Sequence, residues 1–442
     1  MTAMLRRVIA ASLSLAAPAQ AATLTVGAGK MYPAPCAALA AAADGDVVEI
    51  DAGSYAGDVC AFRKNNLTVR GVGGRARLDA AGKNAAGKGI WVIQGNDTVV
   101  ENIEFLGAKV PDLNGAGIRQ EGSNLTVRNC FFHDNENGIL GGAGQVLIEG
   151  SEFGHNGNCL DPSGCAHNLY ISQSVTRLTM RFSYSHHASS GHVLKSRARE
   201  NHILYNRLMD EADGTSSYTI DLPNGGQSFL IGNLIQQGPG TENATIVAYA
   251  EEGASNPGQD LYVVNNTFVN DRGSGTFLQV NGSVPAVIRN NVFAGGGTVT
   301  NQGNAMMAGN FTGDPLLVDR AGFDYRLKAG SPCVDMGVDP GMAGSMSLAP
   351  VFQYVHPLRS EMRVAAGALD VGAYELGGGM KVAPADAGSG FAPPARDAGA
   401  AADSAESASS GSCSCRAGAR GGEEPWCFLL VAVALLWRRR PG

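Results

Sequence analysis

The segment LTVRNCFF at residues 125–132, followed shortly by VLIEGSEF at 146–153, decides the fold. Each copy is a β-rich triplet, then Asn or Gly, then an apolar or aromatic pair. Working outward, the pattern recurs as TVVENIEF (98–105) and LTVRGV (67–72) on one side. On the other it recurs as HILYNRL (202–208), FLIGNLI (229–235), LYVVNNTF (261–268), AVIRNNVF (286–293) and a degenerate MMAGNF (306–311). Taking the Asn or Gly as a register mark gives Gly71, Asn102, Asn129, Gly150, Asn206, Asn233, Asn266, Asn290 and Asn310, at intervals of 20 to 33 residues. The interval from Gly150 to Asn206 is about twice as long and leaves room for one more copy around 178–184.

A period near two dozen residues is what one turn of a parallel β-helix needs: about three short strands and three turns, stacked ~4.8 Å apart. Asparagines at successive turns can then hydrogen-bond up and down the coil. The L-x-x-L-x-L signature of leucine-rich repeats is absent, and a propeller blade needs roughly forty residues. A second series of strands lies upstream in each repeat: GIWVI (89–93), GAGIRQ (115–120), NGILG (137–141), NLYIS (168–172), HVLKS (192–196), YTIDL (218–222), TIVAY (245–249) and TFLQV (276–280). Period-two alternation turns their apolar residues inward and the intervening ones outward. The Ala-rich run 34–45 predicts a helix capping the first rung, which protects an open strand edge, and at the other end FDYRLKAGSPCVDMG (323–337) with LDVGAYE (369–375) resembles the closing segment of many bacterial β-helix proteins. The reading is all-β: a single-stranded parallel β-helix of roughly ten rungs with an N-terminal cap helix, over 22–376.

Composition fits this. The chain is 44% hydrophobic and 17% charged, enough apolar content for a core, and its 60 glycines show no collagen period. A net charge of −7 offers no basic field and argues against a nucleic-acid partner. Arg6 and Arg7, the apolar run 8–17 and Ala19-Gln20-Ala21 read as an export signal over 1–21. Export permits disulfides, with Cys36 and Cys60, and Cys159 and Cys165, as the candidates and Cys130 as buried filling. Residues 377–412, rich in Ala, Ser, Gly and Pro, read as a linker. Beyond it, 413–442 carries Cys413-Ser414-Cys415, a twelve-residue apolar run at 426–437 too short to span a bilayer comfortably, and then Arg438, Arg439 and Arg440. That order resembles the myxobacterial C-terminal sorting domain, which implies attachment to the outer surface near Cys413 and Cys415. The expectation is a monomer outside the cell, meeting the membrane through this tail alone.

The rungs resemble the pectin-lyase-like superfamily of right-handed β-helices over roughly 24–375. That architecture hosts lyases, hydrolases, epimerases and inert spikes, so function has to come from the site. The densest reactive cluster lies in 161–252. With Ile171, Leu194 and Ile220 inward, alternation turns Tyr170, Lys195 and Asp221 outward on neighbouring strands, while the projection of His192 depends on where its strand starts. His167, Asn168, Arg199, Asn224 and Glu251 are candidate sugar-binding residues, and Arg119 extends the same face. Lys195-Ser196, Asn201, Gly214-Thr215 and Gly225 resemble the chondroitinase B and alginate lyase family. The resemblance implies Lys195 as the base removing the C5 proton of a uronate, with an arginine assisting and Ca²⁺ on the sugar acid. The next rung lacks that arginine, and 184–190 lacks acidic ligands, which puts Ca²⁺ in doubt; no cofactor is otherwise required.

Elimination needs a base, a proton donor to the leaving oxygen and a partner for the carboxylate. Lys195 supplies the first, Tyr170 or His192 the second, and Arg197, Asn224 or His167 the third, with Arg197 and Arg199 lowering the lysine pKa by repulsion. Two other readings stand beside a polysaccharide lyase. One is a glycoside hydrolase using Asp221 with Glu251 or Glu252; the other is a glycan-binding face without turnover, on which Lys195, Arg197 and Arg199 are solvated and pair with Asp221 and Glu200. Asp134, Glu136 and Asn137 are a further candidate for Ca²⁺, and Trp91 for sugar stacking.

Overall fold

The computed structural model describes residues 20–161 and 164–377. Most of the export signal, the linker from 378 and the Cys413/Cys415 tail lie outside the described residues. Repeating triplets of short strands wind into one coil, and 29 of its strands join a single hydrogen-bonded network. The pairings are parallel from rung to rung throughout, and they sort the coil into three sheets.

The first sheet runs from Thr23–Val26 through Val47–Ser54 to Met306–Ala308. The second runs from the end of Thr68–Asp79 through Ile103–Leu106 to Phe311–Thr312. The third, the site sheet, takes in every member of the upstream strand series from Gly89–Ile93 onward and ends at Thr298–Thr300. The repeat at 125–132 is therefore two strands with a corner between them. The spare interval after Gly150 is filled by Val175–Arg181 and Tyr184–His186.

The corner resolves the register marks into two adjacent rows. Asn102, Asn129, Gly150, Asn265 and Asn290 occupy the left-handed region, with φ between 50° and 58°, where Asn and Gly cost least. One residue later stands a ladder, buried in all but its last member: Cys130, Ser151, Ser183, Asn206, Asn233, Asn266, Asn291 and Asn310. In each rung the backbone N–H donates to the side-chain oxygen of the next, for example Asn206 N to Asn233 Oδ1 at 2.9 Å and Asn233 N to Asn266 Oδ1 at 2.9 Å. Asn206, Asn233, Asn266 and Asn310 belong to this ladder, whereas Asn290 does not; in its place stands Asn291.

Inside, aromatic rings stack along the axis. Phe105, Phe132 and Phe153 stack with centroids 4.8 and 4.9 Å apart and planes nearly parallel. Gly117 makes room for them, since a Cβ there would come within 2.9 Å of the Phe132 ring. Trp91 is part of this filling, fully buried and edge-on to Phe62 and Phe105, so it is no sugar platform. The cap helix forms at Pro35–Ala41, opened by proline and carried by alanines, and buries Ala38 and Leu39 on the first rung. Disulfides join Cys36 to Cys60, beside this cap, and Cys159 to Cys165; Cys130 and Cys333 are free and buried.

The segment 314–377 does not close the far end of the coil. It folds back along the outside of the second sheet, where Tyr325, Tyr354, Val371 and Ala373 cover Met209, Leu234, Val269 and Val292. A buried ion pair within the segment, Arg363 to Glu375 at 2.7 Å, closes it on itself, and it is tied to the coil where Asn265 Nδ2 donates to the carbonyls of Asp370 and Gly372 and Ala373 N donates to Thr267 Oγ1. The last rung is left bare, with Met306 and Met307 about half exposed.

Candidate active site

On the site sheet, Leu169–Ile171, Leu194–Ser196 and Ile220–Leu222 pair so that Tyr170 faces Lys195 and Lys195 faces Asp221. Parallel pairing without a slip keeps outward residues in one column, with Arg119 and Leu140 below and Ala248 above. Three residues earlier in each rung a second column forms: His167, His192 and Tyr218. The backbone N–H of His192 donates to His167 Nδ1 at 2.9 Å, and that of Tyr218 to His192 Nδ1 at 3.2 Å. The His167 and His192 rings stack at 4.5 Å, and Tyr218 lies against His192 at 5.0 Å. The strands begin only after these positions, which is why alternation places neither His192 nor Tyr218. Tyr218 is the site residue that sequence reasoning missed; its signal was the three-residue spacing to Asp221, shared with His167–Tyr170 and His192–Lys195.

Lys195 leaves the coil outward, yet its side chain is only 1% exposed. Turns at 223–226 and 250–256 close over it. Its Nζ lies 3.3 Å from Asp221 Oδ2 and 3.5 Å from Glu252 Oε1, and 5.5 Å from the centre of the Tyr170 ring. The solvated-face picture of this lysine is therefore corrected. Arg197 ties the cover down: Nε donates to the Tyr170 hydroxyl at 2.9 Å, one terminal nitrogen to Asn224 Oδ1 at 2.7 Å and the other to Glu252 Oε2 at 2.7 Å. Asn224 in turn donates to Ser255 Oγ, and Asn256 to the carbonyls of Arg197, Ala198 and Gly225.

Burial, opposed by the Lys195 ammonium, pushes the Asp221 carboxyl up to about 6. Its Oδ1 is buried with no hydrogen-bond partner, while Oδ2 lies 3.4 Å from His192 Nε2. Burial first, then nearby Lys195 and Arg197, holds both histidines well below their usual range, His167 also feeling His192. They are neutral rings whose Nδ1 accepts, so the proton sits on Nε2. His167 Nε2 is fully buried and has no partner. An unsatisfied donor and an unsatisfied acceptor thus sit in the same covered site, which is costly unless a ligand completes them.

Several candidates fall elsewhere. Asn168 is turned inward as a ladder residue, donating to Ser185 Oγ and His186 O and accepting from Asn156, so it cannot touch a sugar. Arg199 is exposed on the turn beyond the cover and stands outside the cluster; Glu200 pairs with Arg177 and His202 instead. Glu251 faces Asn281 at 3.0 Å, and it is Glu252 that enters the site. Arg119 lies two rungs below Tyr170, ~10 Å along the face, with Leu140 between.

Neither carboxylate set fits Ca²⁺, which takes six to eight oxygens. Glu136 Oε2 is spent on the backbone N–H groups of Val110 and Gly115, Asn137 Oδ1 on that of His167, and Asp134 on His133. Asp221 and Glu252 both engage the Lys195 ammonium, and Glu252 also engages Arg197.

Residues 65–214 match the family model for a right handed beta helix region. Among solved structures, the crystal structure of pectate lyase Pel9A superposes with a TM-score of 0.58 at 16% identity, over 81% of this chain and 97% of that one. Pectin methylesterase PemA from Erwinia chrysanthemi gives 0.38 at 11% identity, over 66% of this chain and 94% of that one. The A-module of Azotobacter vinelandii mannuronan C-5 epimerase AlgE6 gives 0.38 at 14% identity, over 63% and 95%. No curated protein sequence matches the chain. The fold is a right-handed parallel β-helix, and the likeness to the pectate lyase establishes that fold alone.

Proposed function

We propose that this β-helix is a carbohydrate-active protein that cleaves an acidic, uronate-containing polysaccharide by β-elimination, acting outside the cell and held to its surface through the tail. The observation that carries the reading is the Lys195 amine, buried between Asp221 and Glu252 above the Tyr170 ring. A buried amine among a phenol, a guanidinium and two neutral imidazoles is a constellation suited to proton abstraction beside a carboxylate.

Two cations and two carboxylates make the closed site electrically balanced. A uronate carboxylate entering it takes the place of Glu252 on Arg197, because Glu252 is the member with access to water, at 39% exposed. Asp221 then accepts the lysine proton, its raised pKa making it a fit recipient. The neutral amine removes the C5 proton, the C4–O bond breaks with formation of the C4–C5 double bond, and the leaving oxygen takes a proton from Tyr170. His167 Nε2–H donates to the sugar and completes its own hydrogen bonding.

The purified chain, offered a panel of uronate polysaccharides with Ca²⁺ or with chelator, is expected to release products carrying the ultraviolet absorbance of the new double bond. New reducing ends without that absorbance would replace elimination by hydrolysis on Asp221 and Glu252. Saturable binding with no products would reduce the face to a glycan-binding surface.

A further inference from the structure

A second cluster lies at the corner between the second sheet and the site sheet. Strands Glu152–Gly154 and Tyr184–His186 pair with Gly154 against His186, and a Cβ on Gly154 would come within 2.5 Å of the His186 ring. The bare glycine lets that ring lie across the rung below. There it meets His187 and His155: the His155 ring stacks on His187 at 4.9 Å and stands edge-on to His186 at 5.6 Å. One ligand nitrogen from each of the three lies within 4.8 Å of the others.

The far side of two of the rings is already spoken for. His186 Nε2 faces Glu152 Oε1 at 3.3 Å, and His187 Nε2 faces Asp213 Oδ1 at 3.0 Å. A carboxylate only accepts, so each neutral ring carries its proton on Nε2. Both Nδ1 atoms then present lone pairs, and they face each other at 2.7 Å. Two lone pairs at that distance repel. A positive charge between them, an extra proton or a metal ion, removes the conflict. Imidazoles backed by carboxylates on one nitrogen and bare on the other are also the form in which proteins hold metals.

We propose that His155, His186 and His187 bind a divalent transition metal, zinc in the first instance, with Glu152 and Asp213 orienting the two inner rings. An all-imidazole donor set suits zinc, copper and nickel over calcium or magnesium. At Zn–N distances of about 2.0–2.1 Å, tetrahedral ligands stand about 3.3 Å apart, so the two Nδ1 atoms part by about half an ångström. His155, exposed on its turn, supplies the third nitrogen, and a fourth position stays open.

The test uses the full chain, stripped of metal with chelator and with its tail thiols alkylated so that they cannot compete. Zinc titrated calorimetrically is expected to bind at about one equivalent, and Co²⁺ in its place to give visible ligand-field bands. His155→Ala and His187→Gln are expected to weaken zinc ~100-fold or more, and Asp213→Asn about 10- to 100-fold. Because His155 is exposed, its replacement leaves the fold intact. Absence of saturable zinc binding in the unmodified sequence, or affinities in both histidine variants within about twofold of it, would overturn the site and leave a shared proton as the charge between the rings.

Discussion

A lysine ammonium shut off from water has to keep its counter-charges, and Lys195 keeps Asp221 and Glu252. Lys195→Met leaves Asp221 buried with His192 alone, and breaking such a pair from one side costs about 3 kcal/mol. The expected outcome is a lower urea midpoint together with loss of turnover. Lys195→Met combined with Asp221→Leu is expected to recover most of the midpoint and none of the turnover; an unshifted midpoint in the single variant would mean that the amine reaches water. His167 and His192 add a pH dependence. Their folded pKa values lie well below 6.5, so their contribution is fully present above pH 6.5 and is lost as pH falls, because the unfolded chain takes up the protons first. Thermal midpoints are expected to drop below about pH 6.5, and less steeply in His167→Asn, where the amide oxygen can still accept from His192. Alternation made Tyr170, Lys195 and Asp221 legible as one outward column. It could not show their burial, because the covering turns lie one and two rungs away, and whether a turn folds over a face depends on contacts such as Arg197 to Asn224 that have no sequence period.

Among elements, the corner between the first and second sheets carries the most information in the least sequence. The two adjacent rows there do different things: one relieves a left-handed backbone, the other satisfies buried N–H groups. Asn233 accepts from Asn206 N and Nδ2 and donates to Ile203 O and Asn266 Oδ1. Asn233→Ala is expected to cost about 2–4 kcal/mol, since each orphaned buried polar group costs about 1–3. Asn129→Gly, in the backbone row and with its side chain exposed, is expected to change stability by less than about 1 kcal/mol. Equal losses in denaturant titrations would mean the rows are not distinct. A repeat motif shows that such a corner exists. It does not separate neighbouring positions that both favour asparagine, which is why Asn290 and Asn291 were interchangeable on the page and are not in the structure.

For the molecule as a whole, the coil was legible because its period is carried by strands that must stack. The path of 314–377 was not, because nothing periodic tells a closing segment from one that folds back along a flank. Removing it would bare Met209, Leu234, Val269 and Val292 along several rungs, an apolar stripe of the kind that drives association. A chain ending at Gly313 is expected to elute as aggregates in size-exclusion chromatography, whereas one ending at Gly377 is expected to elute as a monomer; a monodisperse shorter chain would show the flank to be dispensable.

That flank also settles how the coil meets a pulling force. The backbone leaves the described body at Gly377, two residues after Glu375, beside the second sheet and not at either end of the helix. Traction on anything attached there falls first on the bonds that tie the flank to the coil, Ala373 N to Thr267 Oγ1 and Asn265 Nδ2 to the carbonyls of Asp370 and Gly372, which must shear before any rung feels load. The strand edges at the coil's ends, where rungs could be unzipped one at a time, are spared. Pulled from the C-terminus in a single-molecule force experiment, the body is expected to release its sidewall first as a discrete step, and Thr267→Val, which removes the acceptor for Ala373 N, to lower the force of that step alone.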